Sequence, residues 1–126
     1  MPRTHVAFYR EANGEAPVVS WLLDLMKVNG RAWTHCRARI ELLGQLGHEL
    51  RRPAADYLRD GIYELRAKQG HVQYRMLYFF HGRGVVVLAH ALSKEDEIPK
   101  SDIERAVKRM NLFKMNPKAH TYENED

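Results

Sequence analysis

Ile62-Tyr63-Glu64-Leu65-Arg66-Ala67-Lys68 alternates apolar and polar residues, Gln69-Gly70 follows as a turn pair, and His71 to Phe80 is rich in aromatic and β-branched residues. That pattern is a hairpin signal. A second turn at Gly82-Arg83, then Gly84 and the apolar run Val85-Val86-Val87-Leu88-Ala89, adds a third antiparallel strand. The chain is therefore built on a three-stranded meander.

If both turns are two-residue loops, counting fixes the register. Lys68 then faces His71, Arg66 faces Gln73, Glu64 faces Arg75, and Arg75 faces His90. Strand side chains alternate between faces, so Glu64, Arg66, Gln73, Arg75 and His90 share one face, and Glu64, Arg75 and His90 form a row across it. Ile62, Leu77, Phe79, Val86 and Leu88 share that face, so one of its ends is polar and the other is expected to be covered. The opposite face carries Tyr63, Leu65, Tyr74, Met76, Tyr78, Val85, Val87 and Ala89, an apolar surface that needs helices over it.

The flanking segments supply that cover. Thr4 to Arg10 alternates and reads as a strand able to join the meander. Pro17 suits a first helical turn, Val18, Leu22, Leu25 and Met26 follow at helical spacing, and Asn29-Gly30 stops the helix. Arg31 to about Leu46 reads as a second helix, with Trp33, Cys36, Ile40, Leu43 and Gly47 on one stripe. So short a break implies a helical hairpin. Leu50 to Asp60 reads as a loop, with Gly61 permitting the turn into the meander. Beyond the third strand, Ser93 to Pro99 is a polar connection. Ser101 and Glu104 have capping-box spacing, and Ile103, Ala106, Val107, Met110 and Phe113 continue an amphipathic helix. From Asn116 the composition turns polar without periodicity, as expected of a mobile tail.

The expected class is α+β: strand, helix, helix, three strands, helix, with a mainly antiparallel sheet packed against the helical hairpin. A chain of 126 residues with 44% apolar content fits one domain, here residues 1–115, with 116–126 as the tail. The formal charge is +4, and Glu123, Glu125 and Asp126 sit at the end, so the folded part is more basic than that figure. A basic domain fits nucleic acid or an acidic protein as partner. The single Cys36 excludes an internal disulfide, and neither a signal peptide nor an apolar run near 20 residues is present, so a cytoplasmic setting without a membrane is expected.

The order of elements is that of the RelE-like toxin superfamily. Phe8-Tyr9, Pro17-Val18, Trp21-Leu22, Leu58, Asp60-Gly61-Ile62-Tyr63-Glu64-Leu65-Arg66, Tyr74-Arg75, Leu77-Tyr78-Phe79-Phe80, His90, Ser93-Lys94, Pro99, and Ile103-Glu104 with Ala106 narrow it further. These motifs, running from about residue 6 to residue 113, resemble the phage-derived, HigB-like toxins of type II toxin–antitoxin systems. The resemblance implies a ribosome-dependent mRNA interferase. It also implies a helix-turn-helix antitoxin as partner, mRNA on the ribosome as substrate, and a pairing able to grow into a higher-order toxin–antitoxin complex. It assigns RNA-facing roles to Arg66, Arg75 and Lys94. Glu95 stands where family members often carry a second lysine.

Metal-independent RNA cleavage needs a base for the 2′-hydroxyl, positive charge for the phosphate and an acid for the leaving oxygen. Arg66 and Arg75 can grip phosphate oxygens bidentately, Lys94 adds a point charge, and Lys68 and Gln73 are further candidate RNA contacts. Glu64 beside Arg75 reads as an orienting ion pair. Two readings of His90 stay open: a general base or acid with an unperturbed pKa of about 6.5, or a packing residue hydrogen-bonded at the end of a buried strand. The remaining histidines are scattered without ligand spacing, and no glycine loop suits a phosphate cradle, so neither a metal nor a cofactor is expected. A non-catalytic binding toxin, such as a ParE-like gyrase inhibitor, or a RelE-fold protein with decayed chemistry, is the alternative.

Overall fold

The computed structural model describes residues 3–94 and 97–123. The elements are β1 (His5–Phe8), α1 (Pro17–Val28), α2 (Gly30–Leu46), a 3-10 turn (Gly47–Glu49), β2 (Ala55–Arg59), β3 (Ile62–Gln69), β4 (Val72–His81), β5 (Val85–Lys94) and α3 (Lys100–Met115). One five-stranded sheet has the order β1-β5-β4-β3-β2, and only β1 runs parallel to its neighbour. The α+β class and RelE-like order hold. One strand, β2, is additional.

The helical hairpin turns on Asn29. Its backbone N–H donates to Leu25 O at 2.8 Å and closes α1, while its side chain accepts from Ala32 N at 3.1 Å and caps α2. Such a cap is worth about 1 kcal/mol. The hairpin places Val18, Leu25, Cys36 and Leu43 over Leu65, Ala67, Tyr74, Met76, Tyr78, Val86 and Leu88 of the sheet. A second apolar cluster lies on the other face, where α3 sets Ala106, Met110 and Phe113 against Ile62, Leu77, Phe79, Val87, Ala89 and Leu92. That face is covered at one end and open at the other.

Both turns of the meander differ from two-residue loops at the expected places. The first is centred on Gly70-His71, because the positive φ of +64° falls on Gly70 as its leading residue and glycine takes that conformation without strain. Pairing therefore slips by two residues: Gln69 faces Val72, Lys68 faces Gln73, Arg66 faces Arg75 and Glu64 faces Leu77. A slip of two leaves every side chain on its expected face. The second turn takes three residues, Gly82-Arg83-Gly84, and flips the first half of β5, so Val86 and Leu88 meet the hairpin while Val87 and Ala89 meet α3. An irregularity beyond Tyr78, with Ala89 as the extra residue, flips the strand back. His90 returns to the face expected of it, opposite Leu77 and not Arg75.

Three further expectations are corrected. Residues 55–59 form β2 and not a loop, joined to β3 through Asp60 and Gly61, both at positive φ. The helix after β5 begins at Lys100 with Pro99 as its cap and no side-chain capping bond, so Ser101 lies inside it. Pro99 O accepts from Asp102 N, and the Asp102 carboxylate is spent on His90. The polar composition after Asn116 does not produce a free tail through Tyr122. Thr121 bridges Tyr9, Tyr122 N donates to Phe8 O at 2.8 Å, and His120 stacks on Tyr9 at 5.2 Å. The segment pairs with the C-terminal end of β1 and the residues after it, where the outer edge would otherwise present unpaired backbone.

Candidate nucleic-acid interface

The open end of the α3 face carries most of the polar residues singled out in the sequence. Register sets Arg66 directly against Arg75, and like charges so placed repel. Glu64 resolves the conflict. Arg75 Nη1 donates to Glu64 Oε2 at 3.0 Å, and Arg66 Nε lies 3.6 Å from Glu64 Oε1. Glu64 is 4% exposed, so its carboxylate is a buried anion under two guanidiniums. Arg66 keeps more contact with solvent than Arg75, at 26% against 13% of the side chain.

β2 pairing stops at Leu65, Arg66 N donates to Ala54 O, and His35 Nδ1 of α2 lies 2.8 Å from Lys68 O on the same side. Beyond β2 the strand β3 is an edge. There Arg66, Lys68 and Gln73 meet Arg39 of α2 and Pro53 around an open pocket of about 190 Å³. Lys94 closes β5 opposite Gln73; its side chain, and with it the contrast between Lys94 and Glu95, lies outside the described residues. Three of the expected RNA contacts thus gather at one pocket, with a fourth on the strand beside it.

His90 is elsewhere in the site's architecture. It sits 8% exposed beneath α3. Arginine only donates, so the Arg109 Nη1 contact at 3.1 Å makes His90 Nδ1 the acceptor, and Nε2 then carries the proton shared with Asp102 Oδ1 at 2.6 Å. Arg109 also donates to Ala89 O and to Glu11 Oε1, each at 2.9 Å. Burial pushes the imidazole below its ordinary pKa, against the pull of the Asp102 hydrogen bond, and Arg109 lowers it further. With both nitrogens engaged, His90 fits the packing reading: it latches β5 to α3. The expected row of Glu64, Arg75 and His90 is not formed.

Arg39 and Asp56 escape the sequence reading, while Arg52, which beside Arg51 and Pro53 invites a nucleic-acid role, is read there as part of a solvated loop. Arg39 lies on the polar side of a helix and joins the pocket only through tertiary packing. Asp56 and Arg52 belong to the region read as a loop. Asp56 stands opposite Glu64, and Arg52 donates to its Oδ2 from Nε at 3.0 Å and lies 2.9 Å away through Nη2. This guanidinium holds the Asp56 carboxyl below the usual carboxylate range, against the opposing effect of burial. The signal that would have found them is Asp60-Gly61, a two-residue hairpin pair. Among the described residues, no group of three or more His, Cys, Asp or Glu is placed to hold a metal ion, and no helix is long and apolar enough to cross a membrane.

A five-stranded sheet between a helical hairpin and a third helix, with arginines paired across its open end, defines a RelE-like α+β protein with a basic face. The profile of the phage-derived Gp49-like proteins matches residues 23–111, most of the chain, and the chain belongs to that family, which is RelE- and toxin-like. No curated protein matches it significantly.

Proposed function

We propose that this protein is the HigB-like toxin of a type II toxin–antitoxin system and acts as a ribosome-dependent mRNA interferase without a metal or cofactor. The carrying observation is the Arg66–Arg75 pair, clamped by Glu64 and opening onto Lys68, Gln73 and Arg39. Guanidiniums fixed in advance stabilise charge as it develops, without reorganisation during the reaction. In the proposed step the 2′-oxygen attacks the adjacent phosphorus, the bond to the 5′-oxygen breaks, and a 2′,3′-cyclic phosphate and a 5′-hydroxyl result. The hydroxyl proton leaves from the attacking oxygen, and a proton reaches the departing one. Arg66 and Arg75 bear the phosphate charge, while the ribosome presents the strand. The helix-turn-helix antitoxin would neutralise the protein in the cytoplasm.

A second reading, a binding toxin that cuts nothing, is favoured by one observation. His90 has both nitrogens engaged and Glu64 is held by two arginines, so neither is a free base. Expression in a bacterial host followed by primer extension on a translated mRNA separates the two. Arg66→Ala is the control of choice, because Arg75 still balances Glu64 and the fold is kept. New 5′ ends inside the reading frame that require translation and fall by ~10²-fold or more in that variant support the nuclease. Growth arrest with intact mRNA refutes it in favour of the binding toxin.

A further inference from the structure

Tyr57 is 52% exposed on β2, an edge strand, yet it is not loose. Its hydroxyl accepts from Gly61 N at 3.0 Å, and its ring meets Tyr63 edge-on, centroids 5.0 Å apart. Tyr63 in turn stacks on buried Tyr78 at 5.3 Å. The exposed ring is the outer end of an aromatic column rooted in the core, a rigid apolar plate. It borders a hollow of about 320 Å³ that also receives Leu50, Arg51, Arg52 and Asp56, near the ~300 Å³ at which pockets begin to hold small ligands. Asp56 is neutralised by Arg52, which leaves the hollow basic through Arg51. It lies on the hairpin side of the β2 edge, where Tyr57 stands opposite Tyr63, and the pocket at Arg66 follows along the same edge: Arg52 lines one and its neighbour Pro53 the other, with Asp56 in register opposite Glu64.

We propose that this hollow is a nucleotide subsite, in which one base of a single-stranded RNA stacks on Tyr57 and its neighbouring phosphate meets Arg51. A preformed ring beside positive charge is what single-strand recognition uses: stacking accepts any base, while cations follow the backbone. Ordering costs little, since the Tyr57 ring is already fixed at both ends. The inference rests on the reading that the Arg66–Arg75 face takes RNA, and it carries the strand around the sheet edge past Pro53.

The test is a titration of the whole protein, carrying 13C-labelled tyrosine and 15N-labelled arginine, with a 2′-O-methyl hexanucleotide that cannot be cleaved. NMR follows the Tyr57 ring, assigned with Tyr57→Phe, and Arg66 Nε. The expected result is that both signals shift, that Tyr57→Ala binds roughly 5- to 100-fold more weakly and that Tyr57→Phe binds within about twofold of wild type. A shift at Arg66 without one at Tyr57, or undiminished binding by Tyr57→Ala, overturns the subsite and leaves the RNA reading of the Arg66 face standing. No shift at either position overturns both. An oligonucleotide series with one abasic position in turn gives the further support: a single position should matter to wild type and not to Tyr57→Ala.

Discussion

Replacing Glu64 with glutamine keeps the shape of the side chain and removes the charge that allows Arg66 and Arg75 to face one another. Glu64 is 5% exposed in its side chain, Arg75 13% and Arg66 26%, so water offers little compensation at Arg75 and some at Arg66. Removing one partner of a buried ion pair costs roughly 3–5 kcal/mol because the other charge is left stranded. Hydration of Arg66 lowers this, and we expect a loss of about 3 kcal/mol. For a domain of this size each kcal/mol moves the melting midpoint by about 3–5 °C, so Glu64→Gln should melt about 10 °C below wild type. Thermal unfolding followed by circular dichroism, with urea denaturation alongside, measures it. Glu64→Gln/Arg75→Met removes the stranded guanidinium as well and should recover at least about 1 kcal/mol. A single variant melting within about 2 °C of wild type would refute the clamp.

Burial depresses the His90 pKa below its ordinary value of 6.5, so the unfolded chain takes up a proton that the folded chain resists. Its contribution to stability is complete above about pH 6.5 and is lost as the pH falls through that value towards the depressed one. His90→Gln should show a flatter urea midpoint between pH 7 and pH 5, and an unchanged slope would count against the latch. Burial also pushes the Cys36 thiol up to about 12, so native protein at pH 8 should resist iodoacetamide and react only on unfolding; native labelling at the rate of free cysteine would contradict its placement. Gly47 has φ +52°, and a Cβ there would run into Thr4 Oγ1. Gly47→Ala should lose about 1–3 kcal/mol in urea denaturation, with part of it regained in Gly47→Ala/Thr4→Ala; equal midpoints for wild type and Gly47→Ala would exclude the clash.

The meander was legible because alternation and glycine turns are local signals, and the helical hairpin because Pro17 and Asn29-Gly30 punctuate two apolar stripes. Strand β2 was hidden by its length and by Pro53 before it, although Asp60-Gly61 marked its end. The site was half legible. Arg66, Lys68, Gln73 and Arg75 share a face by parity alone, and a register slip of two residues preserves parity. His90 reached that face through two departures that cancel, a three-residue turn and an extra residue at Ala89.

The sequence by itself determined the α+β class, the order of its main elements and which polar side chains lie together on β3 and β4, since each follows from periodicity within a few residues. Only the tertiary structure decided what each of them faces. Pairing register depends on where a positive φ is tolerated in a turn, and Arg39, Asp56 and Arg52 enter the site through contacts between segments distant in the chain. His90 shows the difference most clearly: its position on β5 leaves a reactive and a packed imidazole equally open, and the packing of α3, with Asp102 and Arg109 on one helical face, engages both its nitrogens.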